Sequence, residues 1–168
     1  IAESRRRMGP LVETPAIYRN LLAEEIVNLQ CLSVGVPTYD SVPEILKLVG
    51  LAKTGRKKAG HFSLGMKQRL GIAMALVGNP DFLVLDEPIN GLDPQGIIEL
   101  RELILKLNRE YQITVLISSH ILGELSKLAT HYGFIEKGHI VKEISADELE
   151  AVCRKCVKVE VSDTKALI

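Results

Sequence analysis

Two adjacent carboxylates, Asp86 and Glu87, follow directly after the apolar run Phe82–Leu85. A short apolar run is typical of a strand buried on both faces, so the two acids should lie at the carboxyl end of that strand. A carboxylate there can hold Mg²⁺, usually through water, beside the phosphates of a nucleotide. The second carboxylate can act as a general base on an attacking water. An acidic turn that ends a strand would have the same sequence, so both interpretations stay open.

A histidine follows the next predicted strand. The apolar run Ile113–Ile117 predicts a second buried strand, and His120 comes shortly after its end. Because the ends of neighbouring parallel strands meet at one edge of a sheet, His120 should lie near Glu87. A histidine there can hydrogen-bond a phosphate oxygen or orient a water. A lone histidine at a strand end is more often structural, and the pairing with the acids is what favours a chemical role.

A third polar segment, His61–Arg69, leads from a loop into a predicted helix. Ser63 can cap that helix, and Gly65 would let the backbone approach a ligand closely. The free N–H groups at a helix N-terminus form an anion site, so this segment could receive a phosphate. Taken alone, the segment is better interpreted as an ordinary serine-capped helix.

The elements that must position these residues change in type along the chain. The first half is mainly helical and the second half alternates strands with helices, which predicts an α/β fold with a parallel sheet. Asp93 before Pro94 predicts a helix start, and Ser145 with Glu148 predicts a capping box. Residues 1–19 look irregular. Helices are predicted over 20–33, 43–49, 65–77, from 94, over 121–129 and from 145, strands over 82–85, 113–117 and 157–161, and a hairpin over 132–136 and 139–143.

Four segments, FSLGMKQR, FLVLDEP, NGLD and SSH, occur in this order along the chain. Their order and spacing resemble the ATP-binding cassette ATPase family, and the run FSLGMKQRLGIAMAL most resembles the cassettes of bacitracin-resistance and lantibiotic-immunity exporters. The resemblance implies a P-loop NTPase fold, RecA-like, in which a parallel sheet carries a helical signature subdomain. On that pattern the chain divides into a Q-loop segment (1–19), the helical subdomain (20–79), the Walker B to switch-histidine part (80–144) and the start of a C-terminal extension (145–168).

The resemblance implies ATP and Mg²⁺ as cofactors and assigns roles around them. Asp86 would hold Mg²⁺ through water, Glu87 would be the general base, and His120 would contact the γ-phosphate. Glu13 occupies the position where the family's Q-loop usually has glutamine. A glutamate can still ligate Mg²⁺ or hold its water, but it cannot donate the amide hydrogen bond. A proline-rich connecting loop is the alternative interpretation of that segment.

The resemblance also implies two partners. The family closes two ATPase subunits head to tail, so Ser63, Gly65 and Met66 would bind the ATP held by the opposite subunit and Asp93 would act across the interface. Leu64 and Met66 depart from the commonest form of the signature motif, LSGGQ. A membrane-spanning permease would be the second partner, which implies a cytoplasmic location at the inner face of the membrane.

The permease would dock between the Q-loop and the helical subdomain, where three candidate contact residues lie. Tyr18 is a candidate for exposed contact, whereas Leu21 and Leu22 are better interpreted as core residues.

The phosphate-binding loop of the family, GxxxxGK[ST], is not found in the sequence. The segment Gly50–Lys57 comes nearest, but Arg56 and Lys57 stand where lysine and serine or threonine are required, and a predicted helix precedes it. We interpret it as a surface loop of the helical subdomain. We therefore expect the Walker A loop to lie upstream of Ile1, and we expect this chain alone to bind ATP weakly or not at all and to be prone to aggregation or pairing.

Composition narrows the classes of function further. Lys and Arg total 21 and Asp and Glu total 21, a neutral balance that argues against a dedicated nucleic-acid binder and against a polybasic membrane patch. No apolar run approaches the roughly 20 residues of a membrane span. Cys31, Cys153 and Cys156 are too few for a disulfide framework. The last two form a CxxC pair without further zinc ligands, so reduced thiols are the better interpretation.

Two other functions remain as alternatives. A cassette ATPase of DNA repair, chromosome structure or translation would often carry a coiled-coil insertion or a tandem cassette, and neither is visible here. A non-catalytic regulatory module on the same fold fits the missing GxxxxGK[ST] motif, but the presence of Asp86, Glu87 and His120 argues against it.

Overall fold

The computed structural model of the chain describes residues 7–12 and 15–153. The chain divides into two compact units, Ile1–Leu122 and Gly123–Ile168. The strands of the described residues, in chain order, are β1 (Met8–Val12), β2 (Phe82–Asp86), β3 (Thr114–Ser118), β4 (His131–Glu136) and β5 (His139–Ser145). The helices are α1 (Ala23–Val34), α2 (Val42–Leu48), α3 (Leu64–Leu76), α4 (Pro94–Arg109), α5 (Leu122–Leu125) and α6 (Ala146–Cys153), and 3₁₀ turns lie at Ala52–Thr54 and Ala59–His61.

The first unit contains a parallel sheet with the strand order β1-β2-β3. The register aligns Val12 with Asp86 and Asp86 with Ser118, so the three strands end side by side. The predicted parallel sheet is confirmed. Because parallel strands present their carboxyl ends at one edge, this register brings together the residues that follow β2 and β3.

Strand β1 was not predicted, since residues 1–19 were expected to be irregular. Gly9 and Pro10, which read as loop punctuation, lie inside the strand and pair with Leu83 and Val84. Pro10 is tolerated because β1 pairs with one neighbour only among the described strands. Gly9 packs so closely on α3 that a Cβ atom there would lie 2.1 Å from the carbonyl oxygen of Ala75.

The prediction that β2 and β3 are buried on both faces is wrong. Strand β2 buries Leu83 and Leu85 and leaves its alternate side chains half-buried. Strand β3 alternates exposed and half-buried residues, and Leu116 is 57% exposed. Among the described residues β3 is an edge strand, so its apolar composition reflects β propensity and not complete burial.

Helices α1, α2 and α3 form the helical part of the first unit, as predicted. Their shared core is fully buried and includes Ile26, Val27, Val42, Leu70 and Ile72. Helix α3 also packs on β1, which joins the helical part to the sheet. The helix begins where predicted, since Ser63 accepts a hydrogen bond from the Met66 amide at 3.2 Å.

Helix α4 follows its predicted cap. The Asp93 carboxylate accepts a hydrogen bond from the Gly96 amide at 3.0 Å, and Pro94 occupies the first turn. One stripe of the helix is buried, namely Leu100, Leu103, Ile104 and Leu107, and Ile97 is half-buried. The spacing of these apolar residues predicts an amphipathic helix, and the structure confirms it.

The helix predicted over 121–129 is much shorter in the structure. Helix α5 is a single turn. The spacing of Leu122, Leu125 and Leu128 predicts that all three are buried, but Leu125 is buried, Leu128 is half-buried and Leu122 is 66% exposed. Gly123 lies inside the turn and disfavours helix propagation. Beyond it the chain continues as hydrogen-bonded turns, such as the Ala129 amide donating to the Leu125 carbonyl at 2.8 Å.

The second unit contains the predicted hairpin. Strands β4 and β5 pair antiparallel around Lys137 and Gly138, whose φ angles are 49° and 82°. Two consecutive positive φ values are what a tight two-residue hairpin turn requires. The strand predicted over 157–161 lies outside the described residues.

The predicted capping box at the start of α6 is confirmed. The Ser145 amide and hydroxyl donate to Glu148 Oε2 at 3.0 and 2.8 Å, and the Glu148 amide donates back to Ser145 Oγ at 3.2 Å. The bond from the Ser145 backbone amide, followed by that from its hydroxyl, lowers the pKa of Glu148 below its ordinary value.

Helix α6 should therefore lose stability in acid. Because the folded-state pKa of Glu148 lies below its unfolded value, the cap stabilises the helix above the unfolded value and this contribution disappears as pH falls through the folded one. Amide exchange in α6 should accelerate over that range, and E148Q should remove the dependence. The measurement is a carboxyl NMR titration with amide exchange at each pH. An ordinary titration of Glu148 would contradict the prediction.

No helix in the described part of the chain is long and apolar enough to span a membrane. Cys31 is buried in α1, and burial raises the pKa of its thiol. Cys153 is exposed at the end of α6, and Cys156 lies outside the described residues, so the CxxC interpretation stays a prediction.

Candidate functional site

Asp86 and Glu87 lie where β2 ends, beside the end of β3. The Ser118 hydroxyl donates to Asp86 Oδ1 at 2.5 Å. The Glu87 amide donates to Ser118 Oγ at 3.0 Å and to the Ser118 carbonyl oxygen at 3.2 Å. The two acids are therefore tied to the neighbouring strand by both side-chain and backbone bonds.

Glu87 adopts a left-handed backbone conformation with φ 46°. Such a conformation is unfavourable for a residue with a Cβ atom and persists only where the surroundings fix it. Here the bonds to Ser118 fix the Glu87 amide, and the Glu87 carbonyl accepts from the Asn90 amide at 3.1 Å. The chain thus turns sharply directly after Asp86, which directs the two neighbouring carboxylates to different positions.

The predicted proximity of His120 and Glu87 is confirmed. Nδ1 of His120 lies 3.0 Å from both carboxylate oxygens of Glu87. The His120 side chain is 64% exposed and the Glu87 side chain is 24% exposed. Glu87 is thus the more buried of the two side chains, and the imidazole, which contacts it through Nδ1, is largely exposed.

The residues at this edge of the sheet suit one particular mode of magnesium binding. No group of three or more His, Cys, Asp or Glu side chains that could hold a metal occurs in the described ranges. Asp86 and Glu87 do supply hard oxygen ligands at one edge of the sheet. Magnesium commonly keeps several waters and is bound through one or two carboxylates together with substrate phosphates, and this donor set fits that mode.

The segment that begins α3 forms a second group of candidate residues. Ser63 and Leu64 are exposed, and Gly65 and Met66 are half-buried. Their surroundings come from the turn before α4: a Cβ atom on Gly91 would lie 3.2 Å from the Leu64 side chain, and one on Gly65 would lie 3.8 Å from Leu92.

The two helix starts are therefore neighbours. Asp93, which caps α4, belongs to the same turn, so the structure brings it together with the start of α3. A basic residue also reaches this group, since Lys57 Nζ lies 3.9 Å from Met66 Sδ.

An ion pair that the sequence analysis missed joins α3 to α4. Arg69 in α3 pairs with Glu99 in α4, and Gln95 donates to the other oxygen of Glu99 at 3.2 Å. The Arg69 side chain is largely buried. Arg69 and Glu99 are 30 residues apart in the sequence, so no local pattern indicated that they pair.

More than half of the chain matches a known protein family. The family model described as ABC transporter matches residues 1–90, more than half of the chain. The chain belongs to the ABC transporter family. The matched part includes strand β2, which ends at Asp86, and Glu87 directly after it.

Relatives and solved structures of this family resemble the chain closely. It is 46% identical over 167 residues to the bacitracin transport ATP-binding protein BcrA of Bacillus licheniformis, covering 99% of this chain and 55% of that protein. It is 45% identical to the lantibiotic transport ATP-binding protein SrtF of Streptococcus pyogenes, covering 86% and 62%. A solved dimer of the ATP-binding cassette MJ0796 with ADP and Pi superimposes with a TM-score of 0.72 at 25% identity, covering 84% of this chain and 64% of that one. The chain spans about half to two thirds of the length of these proteins.

The remaining sequence predictions for an ABC protein have mixed outcomes. Glu13 lies outside the described residues, so its Q-loop role stays a prediction. Tyr18 is 63% exposed, whereas Leu21 and Leu22 are half-buried and not fully core. The segment Gly50–Lys57 follows helix α2 and not a strand, unlike the strand–loop–helix setting of a phosphate-binding loop.

Proposed function

We propose that the chain is part of the ATP-hydrolysing subunit of an ABC-type exporter. The observation that carries the proposal is the cluster at the ends of β2 and β3, where His120 contacts both oxygens of Glu87 and Ser118 contacts Asp86. A metal-binding acid, a base and a polar orienting group at one sheet edge is an arrangement suited to phosphoryl transfer to water. The likeness to the bacitracin and lantibiotic transport ATP-binding proteins BcrA and SrtF supports a role in transport.

In the proposed reaction the Glu87 carboxylate accepts the proton of the water that attacks the γ-phosphate. His120 orients that carboxylate through Nδ1–H. As an imidazolium it would donate from both ring nitrogens, one to Glu87 and the other to a phosphate oxygen. The turn after Asp86 keeps the base apart from the metal-binding acid. Magnesium bound with the nucleotide would neutralise charge on the β- and γ-phosphates.

The second group of residues, at the start of α3, would serve a second subunit. Ser63, Gly65 and Met66 lie at an exposed helix start, and Asp93 lies in the adjoining turn. Free amides at a helix start attract phosphate, so this surface suits the γ-phosphate of an ATP held by the partner in a head-to-tail dimer. The solved MJ0796 cassette is a dimer, which supports the pairing of two subunits. Exposed Tyr18 would contribute to the permease contact at the inner face of the membrane.

A non-catalytic module on the same fold is the second candidate. The contact of His120 with both carboxylate oxygens of Glu87 argues against it, because a base with an orienting partner is what hydrolysis requires.

Replacement of His120 distinguishes the two candidates. In the protein expressed from its whole reading frame, H120A should lower the rate of ATP hydrolysis by about 100-fold, since a poorly oriented base costs a factor of that order. H139A, at an exposed position in the hairpin, should leave the rate unchanged. Phosphate release is the measurement. Absence of hydrolysis by the unaltered protein, with or without its permease, would support the non-catalytic module.

A further inference from the structure

The Ser118 hydroxyl makes two hydrogen bonds whose directions are fixed by chemistry. The Glu87 amide can only donate, so Ser118 Oγ accepts that bond at 3.0 Å. The single hydroxyl proton is then available for Asp86 Oδ1, which is 2.5 Å away and can only accept when ionised. The Ser118 hydroxyl therefore accepts a hydrogen bond from the Glu87 backbone amide and donates one to the Asp86 carboxylate.

The two bonds act on different properties of the site. The bond to Oδ1 selects one orientation of the Asp86 carboxylate and does not engage its other oxygen. The bond from the Glu87 amide supports the backbone conformation with φ 46°. The Ser118 carbonyl also accepts from that amide, at 3.2 Å, so the backbone has a second anchor. The Ser118 carbonyl cannot bond to the Asp86 carboxylate in the same way, because a carbonyl oxygen only accepts hydrogen bonds.

We propose that Ser118 is a positioning residue that holds the metal-binding acid Asp86 and the base Glu87 in one fixed arrangement. The inference rests on the proposed function. Polar groups that orient a metal ligand typically change metal affinity or activity by about 10–100-fold when removed. Because the Glu87 amide keeps its carbonyl anchor, loss of the hydroxyl should act mainly on the metal and less on the maximal rate.

The test compares two residues of nearly the same shape at position 118. S118T keeps a hydroxyl and S118V replaces it with a methyl group. S33A removes an exposed hydroxyl that bonds to the Gln30 carbonyl at 2.9 Å and serves as control. The readouts, on the protein from its whole reading frame, are the Mn²⁺ concentration for half-maximal hydrolysis, Mn²⁺ binding with ADP by electron paramagnetic resonance, and hydrogen exchange of the Glu87 amide.

In S118V the half-saturating Mn²⁺ concentration should rise by about tenfold in both metal measurements, with a smaller change in maximal rate. Its Glu87 amide should exchange about fivefold faster, a ratio typical for loss of one hydrogen bond. S118T and S33A should stay close to the unaltered protein. Equal behaviour of S118T and S118V would overturn the proposal. If the unaltered protein bound no Mn²⁺ with ADP, the proposed function would fail, and the exchange comparison would still decide whether the hydroxyl fixes the Glu87 backbone.

Discussion

Replacing Glu87 with glutamine should lower the rate of ATP hydrolysis by about 10²–10⁴-fold, the usual contribution of a positioned general base. Glutamine keeps the shape of the side chain and an oxygen that can accept from His120, but it cannot take a proton from water. Nucleotide binding should therefore persist while turnover stops. Phosphate release and calorimetric titration with ATP and Mg²⁺ measure the two effects separately.

The matched control for this variant is E110Q, at an exposed glutamate just after α4. E110Q also replaces one glutamate carboxylate with a neutral amide, but at a position outside the candidate site. It should leave the rate of ATP hydrolysis unchanged. Hydrolysis by E87Q near the unaltered rate would show that Glu87 is not the base. A parallel loss of ATP binding in E87Q would indicate that the carboxylate holds the metal and nucleotide, and the roles of the two acids would have to be reassigned.

Replacing Gly9 with alanine should lower the free energy of unfolding of the first unit by about 3 kcal/mol, at the upper end of the usual cost of overpacking. The new Cβ atom would lie 2.1 Å from the Ala75 carbonyl oxygen and 2.7 Å from Leu83 Cδ2. The leucine can change rotamer, but the carbonyl belongs to the backbone of α3. Relief therefore requires β1 and α3 to move apart, which disturbs buried contacts on both.

Urea denaturation followed by circular dichroism measures this change. G133A is the matched control, because a methyl group on Gly133 in β4 would meet no atom of the described residues within 4 Å beyond its chain neighbours, and this glycine has no positive φ. Its effect should stay within about 0.5 kcal/mol, as for other surface substitutions. A G9A protein with an unaltered denaturation midpoint would mean that β1 and α3 are less closely packed than the contact distances indicate.

The parts of the fold that could be predicted from sequence are those encoded locally. Ser63, Asp93 and Ser145 cap helices through groups only a few residues away, so spacing alone identified them. The apolar run of β2 and the acids after it likewise form one continuous signal. The meeting of His120 with Glu87 followed from a topological rule about parallel strands and needed no further contact information.

The parts that could not be predicted depend on partners distant in sequence. Strand β1 contains Gly9 and Pro10, and its strand conformation comes from pairing with β2 and packing on α3. The exposure of Leu116 depends on which strands lie beside β3, and the residue types within β3 do not reveal this. Ser118 gave no signal, because one serine at a strand end becomes informative only when Asp86 and Glu87 are found around its hydroxyl.

The left-handed backbone at Glu87 has a consequence for how this position can vary. Strain of this kind costs on the order of 1–3 kcal/mol, and glycine would largely avoid that cost. A population of variants selected only for a stable fold should therefore accumulate glycine at position 87. If Glu87 is the base of the proposed reaction, replacing it with glycine would remove the activity. Position 87 therefore sets a trade-off between the stability of the fold and the rate of turnover. Retention of glutamate at this strained position among natural variants would then record selection for activity against a standing cost in stability.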